Sequence, residues 1–146
     1  MRVLFNASVI IAGVGSPAGG SGAALELAKR GKIVGIVSEL IVNEVVSHAG
    51  KVKKDEVEMQ AIVVETFREV TLAPSKSQVE KQAVHVTDPG DAHILATYMN
   101  EKCDLLITLD KKHLLVLQGK LKGVEILTPG QLIGKFYRVE GKRKGE

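Results

Sequence analysis

A chain of 146 residues, 45% hydrophobic and 25% charged, suits one globular domain around one core. Its single cysteine, Cys103, excludes an internal disulfide and fits a reducing compartment; no apolar run approaches the ~18 residues of a membrane span and no secretory signal precedes the first strand-like segment, so the cytoplasm is the expected location. The net charge of +3 admits a polyanionic partner, while 3% aromatic residues and no tryptophan argue against a base-stacking platform and make the backbone the target of any nucleic-acid contact.

In chain order, Arg2 to Phe5 reads as a short apolar strand bounded by Asn6, after which a helix begins. GVGSPAGGSG, Gly13 to Gly22, reads as a flexible loop, and Ala23 to Lys29 as a helix ended by Gly31. Ile33 to Val37 is a second strand, and Ser38 is placed to cap a helix over Glu39 to His48. Helical spacing then runs from Asp55 to Val70, with Ile62, Val63 and Phe67 as its stripe, followed by a short strand at Val70 to Leu72 and a helix over Ser77 to Val84. The stretch from Thr87 to Lys102 carries a helix start signal, with Asp88 as cap and Pro89 at the first position. Asp104 to Leu109 is a buried-type strand, Lys111 to Leu117 a short helix, Val124 to Leu127 the last strand and Pro129 to Tyr137 the last helix. The division expected is a single domain over residues 1–138 and a charged, flexible tail over 139–146. Its basic run, Lys142 to Lys144, is read as solubilising rather than as a nucleic-acid contact.

Strands alternate with helices, so the expected fold is α/β: a mostly parallel central sheet flanked by helices on both faces in three layers. In such sheets ligands bind beyond the carboxyl ends of the strands. Asn6 and Asp110 follow strands and fall at that edge. Glu44 and Asp91 border the apolar stripes of their helices and are expected to point toward the body of the protein, where each carboxylate needs a cation, a donor or a metal. Each has an ordinary structural explanation as well. A first-turn acid such as Asp91 is favoured by the helix dipole, Asp88 is a good cap, Asp110 can cap the segment after it, and Glu44 can pair with a lysine. The joint placement carries the functional reading.

Asp104, ~20 Å from Asp110 along one strand, falls at the opposite sheet edge and is expected to be structural. A set of oxygen ligands without paired Cys or His suits Mg²⁺ or Mn²⁺ rather than Zn²⁺. Such an ion, held by carboxylates, is apparatus for phosphodiester hydrolysis. Of the four histidines, read as surface or locally bonded, His113 is best placed to visit the site, three residues past Asp110. Gly15 and Gly20 have the spacing of a phosphate loop, but Ser21 stands where its lysine belongs, so nucleotide binding is not expected.

Four segments together resemble the PIN domain, the nuclease fold of the toxins in VapBC toxin–antitoxin pairs and of related archaeal proteins. VLFNASVIIAG resembles the family's opening, SELIVNEVV its second motif, DPGDAHILATY its third and LLITLDKKHLL its fourth. The resemblance implies a metal-dependent ribonuclease, often a homodimer, with an RNA substrate and, for a toxin, a protein antitoxin. By position it implies Glu44, Asp91 and Asp110 as catalytic metal ligands, Asn6 as the fourth ligand position, and Ser8, Thr108 and Asp88 as supporting groups. The departure is Asn6, where the family has its first aspartate. An amide oxygen still coordinates a hard cation but brings no charge. Three readings of Asn6 stand side by side: an amide tolerated by a working enzyme, a residue serving only the strand-to-helix turn, and an Asp-to-Asn change that silences the protein. The alternative to a ribonuclease is accordingly a degenerate PIN domain that binds RNA or protein without cutting.

Overall fold

The computed structural model describes residues 1–145, with side chains through Arg143. Five strands, β1 (Arg2–Phe5), β2 (Val34–Ser38), β3 (Glu69–Thr71), β4 (Leu105–Ile107) and β5 (Ile126–Leu127), form one sheet in the order β3-β2-β1-β4-β5, every neighbour parallel. Seven α-helices surround it: α1 (Ala7–Gly15), α2 (Gly20–Lys29), α3 (Glu39–Ser47), α4 (Glu56–Thr66), α5 (Lys76–Gln82), α6 (Ala92–Asn100) and α7 (Pro129–Gly145). Helices α1, α2, α3, α4 and α7 pack as one group, and α5 packs on α6 as another. The result is the expected three-layer α/β/α arrangement.

The central strands carry continuous apolar runs because helices cover both faces. Leu4, Phe5, Leu106 and Ile107 have no exposed surface, and each such burial is worth ~1.5–3 kcal/mol. Local signals set the helix starts. The Ser38 hydroxyl accepts from the Ile41 amide at 3.3 Å. Asp55 and Glu58 close a reciprocal capping box, as do Ser75 and Gln78. At the amino edge of β4, Asp104 Oδ2 accepts the Arg2 amide at 2.7 Å, the structural role expected of it.

Several boundaries differ from the sequence reading. The glycine-rich stretch is not a ten-residue loop: α1 runs to Gly15 and α2 starts at Gly20, leaving only Ser16 to Gly19 between. Its glycines serve close approach. A Cβ on Gly13 would lie 2.9 Å from the Ser21 carbonyl oxygen, and one on Gly22 would collide with the Pro17 carbonyl. Helix α4 stops at Thr66, three residues before β3. Pro89 to Asp91 form a separate 3₁₀ turn ahead of α6, and the segment after Asp110 holds only a 3₁₀ turn at Leu115 to Leu117. Helix α7 continues past Tyr137 through the charged segment to Gly145, since Lys, Arg and Glu are good helix formers; Glu146 lies outside the described residues. No single described helix is long and apolar enough to cross a membrane.

Candidate metal centre

Because β1 and β4 are neighbours with Phe5 opposite Ile107, Asn6 and Thr108 leave the sheet side by side. The Asn6 amide N–H donates to the Ile107 carbonyl at 3.0 Å. Its side chain is nearly fully buried. Oδ1 accepts from the Ala7 N–H at 3.0 Å and so caps α1. That donor fixes the amide's orientation, because a flipped amide would oppose N–H to N–H. Nδ2 therefore faces Thr108 Oγ1 at 2.8 Å and Ser8 Oγ at 3.2 Å, donating to both. These hydroxyls in turn accept from the Asp110 and Leu109 amides, at 3.1 and 3.2 Å. Three small polar side chains thus tie the start of α1 to the end of β4 and aim the chain into Asp110.

Asp110 is held by its own turn. Oδ1 accepts the Lys112 and His113 amides at 3.1 and 2.9 Å, and Oδ2 lies 3.3 Å from His113 Nδ1. The capping role weighed from sequence is present alongside its place at the strand end. Asp88 likewise caps the turn after it, accepting from Gly90 N–H at 3.0 Å. That turn delivers Asp91 to the head of α6, with Oδ2 buried and facing no donor. Burial is the main reason the Asp91 carboxyl is pushed from 3.8 to about 6; Asp88, Asp110 and Glu44 push it further up, and His113 alone opposes them.

Asn6, Ser8, Glu44, Asp91 and Asp110 line one cleft of about 430 Å³, shared with Ile11, Ala12, His48 and Lys51. All four positions selected from sequence meet there, with Thr108 buried beneath Asn6. Glu44 differs from expectation in one respect: it is exposed on the rim, not turned into the body. The tightest grouping of ligand atoms is also a different one. Single atoms of Asp88, Asp91 and His113 lie within 4.8 Å of one another. This grouping brings the Asp88 carboxylate and the His113 imidazole to Asp91.

Sequence reasoning missed two residues that line the cleft, His48 and Lys51, and the burial of His93. His48 is locally bonded as expected, with Nδ1 2.7 Å from the Glu44 carbonyl oxygen, yet it also lines the cleft. Lys51 lies past the end of α3, in a 3₁₀ turn over Ala49–Val52, and it is that turn that brings it to the cleft. His93 is not a surface histidine: its Nδ1 is buried without a partner, and burial lowers its pKa while Glu44 raises it.

Chemically, the cleft gathers hard oxygen donors whose mutual repulsion no protein cation fully relieves. The orphaned Asp91 oxygen and the upward pressure on its pKa fit a divalent cation. The His113 imidazole adds a nitrogen to the oxygen atoms of Asp88 and Asp91. The cleft is not the largest concavity, since a groove of about 850 Å³ lies along β5 and α7. Compared with known proteins, residues 2–112 match a family model described as PIN domain. No curated protein matches the chain.

Proposed function

The chain belongs to the PIN domain family, and from that premise we propose that it is a divalent-metal-dependent endoribonuclease acting on RNA phosphodiesters, with Glu44, Asp91 and Asp110 as the residues that hold Mg²⁺ or Mn²⁺. The observation that carries the reading is the buried, unpartnered Asp91 Oδ2 among carboxylates that raise its pKa. A bound ion would supply an activated water and neutralise the charge developing on the phosphate.

The chain's own residues provide the rest. Asp110 is held in one orientation by two backbone amides, so it loses little freedom on ligation. His113 stands beside it within reach of a proton on either carboxylate. Asn6, Ser8 and Thr108 keep the floor of the cleft rigid. Glu44 on the rim completes the acid set, and Lys51 brings an ammonium to the same cleft, where it would offset the charge of a bound phosphate. The resemblance to VapBC toxins supports a finer reading, a cytoplasmic homodimeric toxin countered by an antitoxin.

One observation favours a second reading. Both Asn6 amide protons are donated and its oxygen already caps α1, so the first ligand position offers no charge and only one lone pair. That is the state of a binding module derived from the nuclease. The test is Mn²⁺-dependent cleavage of a single-stranded RNA by the purified chain and by Asp91→Asn. Turnover abolished by the substitution supports the nuclease. Equal turnover in both overturns the site. RNA binding without any turnover selects the binding module.

A further inference from the structure

Charge is unevenly divided along the chain. Residues 111–146 hold nine of the twenty lysines and arginines but only three of the seventeen aspartates and glutamates. The remaining residues are therefore net acidic. This basic part falls almost wholly beyond the segment matched by the family model, which ends at residue 112. Much of the excess lies along α7. Lys135, Arg138 and Lys142 repeat at spacings of three and four, so they form one stripe, and together they line the groove of about 850 Å³ beside β5. From Gln131 to Lys142 the stripe is ~16 Å long.

Two features leave this groove open to a chain of phosphates. Its helical wall is bare at Gly130 and Gly134, one turn apart. A Cβ at Gly130 would meet only Thr128 Oγ1, at 3.9 Å, and one at Gly134 only Arg138 Nη1, at 3.8 Å. The cations are also only partly compensated. Lys135 pairs with Glu125 at 3.0 Å, whereas Arg138 and Lys142 are exposed and pair with no carboxylate among the described residues. The groove opens at Thr128, just past β5, on the carboxyl edge of the sheet that also holds the acidic cleft.

We propose that the α7–β5 groove is a backbone-binding track for single-stranded RNA, with Arg138 and Lys142 as its main phosphate contacts; the proposal deepens the ribonuclease reading and rests on RNA being the substrate. The track holds the strand through charge, without base readout, as expected of a surface poor in aromatics. An acid-rich cleft repels RNA when no ion is bound, so attraction has to come from a separate basic surface.

The test measures binding of a fluorescent oligouridylate in EDTA across a salt series, for the wild type, Arg138→Gln/Lys142→Gln, and the control Lys76→Gln/Lys81→Gln. The control removes the same charge from exposed positions on α5. At about 0.7 per phosphate contact, the α7 variant should flatten the log Kd against log salt slope by about 1.4 and weaken low-salt binding on the order of tenfold. The control should match the wild type. Equal loss in both variants would overturn the track, leaving only net charge. An oligoglutamate of equal charge binding the wild type as tightly as RNA would overturn it in favour of an acidic protein partner. The outcomes separate from those of the nuclease reading: no cleavage with intact groove binding sinks the nuclease alone, while cleavage with an unchanged salt slope in the α7 variant sinks the track alone.

Discussion

Replacing Asn6 by Asp is the sharpest perturbation of this site, because it changes charge and almost nothing else. The three partners of the amide all accommodate a carboxylate. The Ala7 N–H still donates. Thr108 Oγ1 and Ser8 Oγ already accept backbone amides, so each hydroxyl has its proton free to turn toward residue 6. Packing is conserved, and the new charge joins Glu44, Asp91 and Asp110. Without metal it adds repulsion, so Asn6→Asp should melt below the wild type in EDTA. With metal the sign reverses. Restoring a ligand should raise Mn²⁺ affinity by at least ~10–100-fold, the range for an outer-shell partner, or ~1.4–2.7 kcal/mol. At saturating Mn²⁺ that difference appears directly as stability. For a domain of this size each kcal/mol moves Tm by ~2–4 °C, so the Mn²⁺-induced rise in Tm should exceed the wild type's by roughly 3–10 °C. Melts with EDTA and with excess Mn²⁺, beside a calorimetric titration, measure both arms. Equal Mn²⁺-induced shifts in the two proteins would refute the reasoning, because residue 6 would then lie outside the ion's reach.

Mn²⁺ affinity should fall as pH drops through about 6, where protons compete for Asp91, and Asp91→Asn should abolish both affinity and pH dependence. In metal-free protein the sign is opposite: the folded state holds this proton more tightly than the unfolded chain, so Asp91 contributes stability below 3.8 that is lost as pH rises through about 6, a trend that melts of the wild type should show and Asp91→Asn should lack. Gly22→Ala should cost ~1–3 kcal/mol in urea unfolding, because its Cβ meets the rigid Pro17 backbone. Cys103, whose thiol burial pushes up to about 12, should resist alkylation at pH 8 in the native state and react once unfolded.

The alternation of elements, the parallel sheet and most helix starts were legible, because caps such as Ser38 and Asp88 are local signals acting over two or three residues. The α1–α2 junction was not. Glycine reads as flexibility until a neighbouring backbone is known to fill the missing Cβ, and that fact is tertiary. The extent of α7 was hidden for a related reason: its charged carboxyl half has no apolar stripe to announce it. In the site, strand ends placed Asn6 and Asp110 correctly at one sheet edge. Their bonding partners were invisible, since the pairing of Asn6 with Thr108 crosses 102 residues. The proximity of His113 to Asp91, 22 residues away in the chain, was likewise beyond local spacing.

Position 6 separates two demands that an aspartate would meet together. Capping α1 and bracing β4 require one acceptor toward Ala7 and polar contact with Ser8 and Thr108. Asn and Asp satisfy both, so folding alone does not choose between them. The choice falls on charge. An amide leaves the cleft one unit less negative while Lys51 adds a positive charge to its wall. Such a cleft suits fewer ions than four carboxylates would hold, and it relies more on surrounding protein for RNA attraction. The basic stripe on α7 lies where that attraction is available, on an element the family match does not reach. On the proposed ligand set and RNA track, the protein rather than the ion carries much of the RNA affinity, so affinity in EDTA should be a large share of affinity in Mn²⁺.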